Sequence, residues 1–135
     1  MILSFETQEH KRCVVAKDKD DRYIVYRFGT ESKIELEYPP MNPASWQKMK
    51  YYRYMRPGFE LNYLNFVRGN YRYVLYETYS DEAEEGDEWE VGVKVLDLND
   101  KFLSRQSAKV STQTGSLIDL QWNELIGKRQ EYSNE

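Results

Sequence analysis

The stretch from Arg22 to Tyr38 constrains the fold of this 135-residue chain more than any other. It reads RYIVYRFGTESKIELEY, two runs rich in β-branched and aromatic residues around a turn that contains Gly29. Alternate side chains of an extended strand point to opposite faces. One face of both runs would then carry only apolar or aromatic side chains, those of Ile24, Tyr26, Phe28, Ile34, Leu36 and Tyr38. The pattern predicts a β-hairpin with one buried face.

Similar alternation recurs along the chain and predicts further short strands. These are Ile2–Glu6, Arg12–Lys17, Tyr51–Arg56, Phe59–Val67, Tyr71–Tyr79, Trp89–Leu96 and Phe102–Gln106, with an extension of the sheet over Ala108–Thr112. Aromatic residues make up 15% of the chain, and they favour pleated, half-buried surfaces.

Helical signals are few. Three prolines between residues 39 and 43 end the hairpin pattern, and Ala44–Lys50 after them predicts about two helical turns. Ser116 and Asp119 resemble a capping box, which predicts a short helix before Gly127.

About seven to nine short strands with little helix predict an all-β fold, an antiparallel sandwich or barrel with a short C-terminal helix. We expect a single β domain over residues 1–127 and a frayed polar tail over residues 128–135. No stretch approaches the roughly 20 apolar residues of a membrane span, so membrane insertion is not expected.

The negative charge is concentrated in one segment. Residues 1–79 carry a net charge of +3, residues 80–100 a net charge of −8 and residues 101–135 a net charge of +1. The sequence SDEAEEGDE from Ser80 to Glu88 has no apolar periodicity and predicts a solvated loop. An acidic loop on a rigid β-scaffold suits a basic protein surface. The predicted partner-binding residues are Asp81, Glu82, Glu84, Glu85, Asp87 and Glu88, with the bordering aromatic residues Tyr79 and Trp89.

A second surface has the opposite charge and provides an alternative interpretation. Six cations lie among tyrosines between residues 48 and 73, and only Glu60 opposes them between residues 39 and 76. Such a mixture suits an anionic ligand or single-stranded nucleic acid. We do not expect nucleic acid as the partner, because the whole chain is acidic and lacks an RNA-binding signature. The favoured structural interpretation is that the arginine side chains cover sheet edges and pair with nearby acids. The residues of this surface are Lys50, Arg53, Arg56, Arg68, Arg72 and Tyr52.

The sequence contains no recognisable catalytic motif. His10, the single histidine, lies in a predicted turn, and Cys13, the single cysteine, lies in a predicted strand beside two valines. Neither belongs to a nucleophile motif. Asp18, Asp20 and Asp21 lack the glycine and the closing glutamate of a calcium loop. We expect a protein that is not an enzyme and has no cofactor, although the acidic loop could gather a hard cation weakly.

The run YIVYRFGTESKIELEYP, the later hairpin GNYRYVLYETY and the segment SLIDL after SRQSAKVSTQTG resemble a group of small all-β bacterial proteins. Those proteins are generally exported. The resemblance implies a bacterial source, export to the periplasm, and a fold like those of periplasmic lysozyme inhibitors and toxin-immunity proteins. Members of the group carry further cysteines near SRQSAKVS, where this chain has Ser107 and Ser111. Cys13 would then be the remaining half of a lost pair.

The resemblance and the charge asymmetry lead to one functional expectation. The chain would be an inhibitor or immunity-type protein that neutralises a bacterial toxin or cell-wall enzyme by occluding its active site, with the acidic loop as contact. It would be periplasmic as a mature chain that lacks its signal peptide. The cytoplasm is the alternative compartment, because a single cysteine fits either place.

Overall fold

The structure, a computed structural model, describes residues 1–81 and 88–128. The first of its two sheets has five strands. In spatial order these are β10 (Thr114–Gly115), β1 (Leu3–Glu6), β2 (Arg12–Lys17), β3 (Ile24–Gly29) and β4 (Ile34–Tyr38). All neighbours in this sheet pair antiparallel.

The second sheet has six strands. In spatial order these are β11 (Gly127–Lys128), β5 (Met49–Arg56), β6 (Phe59–Arg68), β7 (Tyr71–Ser80), β8 (Glu88–Asp97) and β9 (Phe102–Ser107). The strands from β5 to β9 form an antiparallel meander. The short strand β11 pairs parallel with β5. No helix among the described residues is long and apolar enough to cross a membrane.

The predicted all-β class is confirmed, whereas the predicted number of strands and the barrel alternative are wrong. The described part of the chain contains eleven strands rather than seven to nine, because β10 and β11, of two residues each, have no visible period. The two sheets stay separate, so the barrel alternative is wrong for the described residues. The division into a domain over residues 1–127 and a tail over residues 128–135 stays a prediction, because residues 129–135 lie outside the described residues. Residue 128 lies in β11.

The predicted C-terminal helix is replaced by a single 3-10 turn over Leu117–Leu120. Ser116 does cap this turn, because its Oγ accepts a hydrogen bond from the Ile118 amide at 3.2 Å. The chain cannot continue as a helix, since the Asn123 side chain accepts from the amides of Leu125 and Ile126 and turns the backbone toward β11.

Two other local predictions were too long. The helix α1 covers only Ser45–Lys48, because Met49 already pairs with Phe66 in the second sheet. The segment predicted to extend the sheet over Ala108–Thr112 contains a 3-10 turn at Val110–Thr112. Ala108 alone makes a bridge, to Thr7, the residue that follows β1, so the chain crosses between the sheets at this point.

The buried faces of the two sheets share one hydrophobic core. Tyr26 and Tyr38 from the first sheet lie against Phe66 of the second, with ring centroids 5.4 and 5.3 Å apart. Tyr73 stacks on the same Phe66 ring at 5.0 Å. Aromatic contacts at these distances add to the free energy of burial.

The central hairpin forms as predicted, but its faces are less regular than the sequence pattern. Ile24 and Tyr26 are buried in the core, whereas Val25, on the other face, is buried outside it. Ile34 is exposed rather than buried. The pairing of β3 with β4 shifts between Phe28 and Gly29, and this bulge takes Ile34 out of phase with the buried face.

A charged loop fixes the connection between β2 and β3. Arg22 donates two hydrogen bonds to the Asp18 carboxylate, at 2.8 and 3.0 Å, and the amides of Asp20 and Arg22 donate two more. These donors, led by the Arg22 side chain, hold the pKa of Asp18 well below its usual range.

We expect Asp18→Asn to lower the free energy of unfolding at neutral pH. A carboxylate whose pKa is lowered by folding stabilises the fold at pH values above its pKa in the unfolded chain, about 3.9. This stabilisation is lost as the pH falls toward the lower pKa in the folded protein. The destabilisation caused by Asp18→Asn should therefore be smaller in acid. Urea unfolding of both proteins at about pH 7 and about pH 3 measures the change. Asp20→Asn is the matched control, and an equal Asp18→Asn effect at both pH values would contradict the prediction.

Candidate functional site

The strands of the second sheet are longer than those of the first. Strands β6, β7 and β8 have ten residues each, whereas β1 to β4 have four to six. Four extra residues correspond to roughly 13 Å of strand. Part of this excess lies where β7 and β8 approach residues 82–87, because Met55 and Trp89 are exposed there. The core-facing side of the sheet therefore continues beyond the core.

Two rows of cross-strand neighbours cover this projecting end. One row is Arg53, Asn62, Glu77 and Val91, and the other is Met55, Glu60, Tyr79 and Trp89. Residues directly opposite each other in a sheet share a face. Both rows lie on the face that carries Leu64 and Leu75 in the core, so this face changes from apolar to polar along the strands.

The polar end of this face lines a cleft of about 500 Å³. Glu60, Asn62 and Glu77 lie on one side, beside the rings of Tyr79 and Trp89. The opposite side is the chain between residues 110 and 118, which contributes Val110, Gln113, Ser116 and Ile118. The cleft therefore lies between the projecting sheet and the segment that returns to the first sheet as β10.

Glu77 holds this returning segment in place. Its side chain is buried, and its carboxylate accepts hydrogen bonds from Gln113 Nε2 at 2.8 Å, Ser116 Oγ at 2.9 Å and the Leu117 amide at 2.8 Å. Hydrogen bonds to a charged acceptor are the stronger kind. The carboxylate thus fixes one wall of the cleft.

A second chain of hydrogen bonds lies behind the same cleft. Tyr51 Oη donates to Asn62 Oδ1 at 2.6 Å, and Asn62 Nδ2 donates to Glu60 Oε2 at 2.8 Å. Arg53 lies 3.5 Å from the same Glu60 oxygen. Burial raises the pKa of Tyr51 above its usual range, so it stays a neutral donor. Both carboxylates of the cleft are therefore engaged, an arrangement suited to recognition.

The most exposed aromatic residue of the cleft is Trp89. Its ring packs on Tyr79 with centroids 4.6 Å apart, and the residue remains 54% exposed. Asp81 and Glu88 are exposed at the two ends of residues 82–87. The Asp81 amide donates to the Gly58 carbonyl at 2.9 Å, which ties this end of β7 to the β5–β6 turn.

The predicted partner-binding residues fall into two groups. Tyr79, Asp81, Glu88 and Trp89 are close together, because Tyr79 pairs with Trp89 and its neighbour Ser80 with Glu88. The other four predicted residues, Glu82, Glu84, Glu85 and Asp87, lie outside the described residues.

The alternative basic surface is divided between two faces. Strand alternation places Lys50, Tyr52, Arg56 and Arg72 on the outer face of the second sheet, away from the core. Arg53 and Arg68 lie on the opposite, core-side face. Arg53 reaches Glu60 there, and Arg56 lies over the Phe59 ring at 4.2 Å.

Sequence reasoning missed the polar residues of the cleft, although a signal was present. Asn62 occupies the same strand phase as Leu64 and Phe66, and Glu77 the same phase as Leu75. A polar residue in phase with buried ones indicates a buried hydrogen-bond network or a site.

The single cysteine and histidine lie away from the cleft. Cys13 is buried 3.8 Å from Tyr26 Oη, and burial raises its pKa to about 12, which makes the thiol unreactive. His10 is exposed and contacts Glu6 and Lys109. Within residues 1–81 and 88–128, no three His, Cys, Asp or Glu side chains are gathered as metal ligands.

We expect Glu77→Gln to lower the free energy of unfolding by about 2 to 3 kcal/mol, because a neutral amide cannot accept from three donors as a carboxylate does. Urea denaturation measures the change. Glu90→Gln, at an exposed position two strand steps from Gly92, is the matched control and should have little effect. Equal stability of the Glu77→Gln and Glu90→Gln proteins would show that Glu77 does not hold the segment.

No protein-family model, curated protein or solved structure matches this chain. The resemblance to small exported bacterial proteins therefore stays a prediction.

Proposed function

We propose that this protein acts by binding another protein, as an inhibitor or immunity-type protein that neutralises a bacterial toxin or cell-wall enzyme by occluding its active site. The contact is the end of the β7–β8 hairpin together with the cleft beneath it. The observation that carries the proposal is the half-exposed Trp89, packed at a tilt against Tyr79 beside a cleft of about 500 Å³.

Trp89 and Tyr79 have the properties of interface anchors. A few Trp, Tyr and Arg residues supply most of the binding energy in protein interfaces. Trp89 lies within a paired strand, and Tyr79 supports its ring from the neighbouring strand. Because the Trp89 side chain already packs on Tyr79, it loses less conformational entropy when a partner covers it.

The charge around the anchor favours a basic partner. Asp81, Glu88 and Glu90 are exposed around the hairpin end, and Glu60 lies in the cleft. The sequence between Asp81 and Glu88 adds four more carboxylates. Concentrated negative charge attracts a positively charged active site, raises the association rate and disfavours acidic proteins.

The hairpin end is supported by the rest of the sheet. Residues from Glu77 to Ser80 pair on one side with β6 and on the other with β8. Glu77 also connects the same region to the returning segment through three hydrogen bonds. A contact surface built on paired strands keeps its shape on binding, as an occluding inhibitor requires.

We expect the chain to bind a basic cell-wall enzyme or toxin, with a c-type lysozyme and the product of the adjacent gene as the two targets to be measured. Trp89→Ala should weaken binding by about 30-fold, the loss typical of an interface anchor. Isothermal titration calorimetry gives the affinity, and the activity of the target enzyme gives the inhibition.

The charge contribution is tested with reversal of Asp81, Glu82, Glu84 and Glu85 to Lys, which should slow association and remove most of its salt dependence. Trp122→Ala and Glu31→Lys are matched controls, at exposed positions outside the cleft, and should leave binding unchanged. The proposal would be refuted if the Trp89→Ala protein and the charge-reversed protein both bound as well as the unchanged protein. It would also be refuted if the unchanged protein bound neither target.

A further inference from the structure

The outer face of the second sheet carries two cations side by side. Lys94 in β8 and Arg105 in β9 are directly opposite each other in the antiparallel pair. Lys94 Nζ lies 5.8 Å from the centre of the Tyr63 ring, and Arg105 Cζ lies 5.7 Å from that of Tyr76. The two side chains therefore lie back across the sheet, with Lys94 half-buried and Arg105 exposed.

These two cations are not neutralised within the described part of the chain. Neither Lys94 nor Arg105 forms an ion pair there. The two positive charges lie close enough to repel each other. Burial, followed by the charge of Arg105, lowers the pKa of Lys94. The nearest acidic residue on this face of β8 is Glu90, four residues away and so roughly 13 Å along the strand. A bound anion would relieve this repulsion.

An unpaired hydrogen-bond donor lies in the same row. Asn65 is the cross-strand partner of Val74, which in turn pairs with Lys94. Asn65 is only 2% exposed, and its Nδ2 group has no hydrogen-bond partner. Lys94 Nζ reaches the ring of Tyr63, which lies two residues before Asn65 on the same face of β6. Buried donors without a partner are rare and indicate a missing acceptor.

Gly92 helps to shape the surface. A Cβ atom at this position would lie 2.5 Å from Tyr76 Oη and 2.6 Å from the Gln106 carbonyl oxygen, so glycine leaves room for the end of the Tyr76 ring over β8. The ring in this position supports the Arg105 guanidinium from below. Arg105 is thereby directed over the sheet beside Lys94. Lys50, at the far end of the row, leans instead toward Gly127, so it is not part of the site.

We propose that this outer face binds a phosphate-type oxyanion, held by Lys94 Nζ, the Arg105 guanidinium and Asn65 Nδ2. Two cations and a neutral donor are the groups that hold phosphate or sulfate oxygens in proteins. The occupant is the phosphate group of a small ligand. Base stacking of single-stranded nucleic acid is not favoured, because Lys94 and Arg105 already cover faces of Tyr63 and Tyr76. The site is separate from the hairpin end and does not depend on its function.

We expect inorganic phosphate, added at constant ionic strength, to shift the side-chain amide resonances of Asn65 in ¹H–¹⁵N spectra with a saturable dependence. Lys94→Gln combined with Arg105→Gln should weaken binding at least about tenfold, because both charge-assisted hydrogen bonds are lost. Asn65→Asp, which places a carboxylate at the same position, should abolish it. Unchanged backbone spectra establish that each variant is folded.

Lys19→Gln combined with Lys33→Gln is the control, since it removes two positive charges from exposed positions elsewhere and should leave the titration unchanged. Shifts that do not saturate, that leave Asn65 unaffected or that fall equally in the control variant would overturn the proposal. A second titration uses single-stranded oligothymidylate. Binding of this polymer through Arg105 without saturable binding of free phosphate would also overturn it, in favour of a nucleic-acid surface.

Discussion

The packing of Phe66 between the two sheets is the contact on which the rest of the structure depends. Its ring meets Tyr26 and Tyr38 of the first sheet and Tyr73 of its own sheet within 5.0 to 5.4 Å. A slip of one residue in β6 would move Phe66 to the outer face and bring Asn65 into the core. The same register decides which face of the longer strands holds the cleft and which holds the cations.

Much of the fold could be predicted because most strands bury one face. The hairpin at Arg22–Tyr38, the strands from β5 to β9 and the turn between β6 and β7 follow directly from alternation and turn residues. The errors occur where tertiary contacts overrule the local pattern. Leu117 and Leu120 have the spacing of a helix, but both side chains enter the core from a single turn that Asn123 ends. Ile34 is exposed rather than buried because of a bulge between β3 and β4, and the alternation of the sequence does not predict that bulge.

The candidate sites were predicted less well, for a different reason. Composition and charge point to Tyr79, Trp89 and the acids beside them, since these are close in sequence. The hydrogen-bond donors that contact Glu77 lie 36 to 40 residues away in the sequence. Lys94 and Asn65 share a row only because β7 pairs with β8 on one side and with β6 on the other. Such relations depend on strand register. The same limit explains why the basic residues between 48 and 72, which read as one surface, occupy two faces.

The projecting end of the second sheet has a consequence for how such a protein can diverge. Phe66, Leu64 and Leu75 keep the sheets together at one level of the strands, whereas Trp89 and the acidic residues lie at another. Substitutions at the tip change few core contacts, so they cost little folding free energy. Exposed residues around Trp89 can therefore be exchanged with little effect on the fold, while Glu77 keeps the returning segment in place.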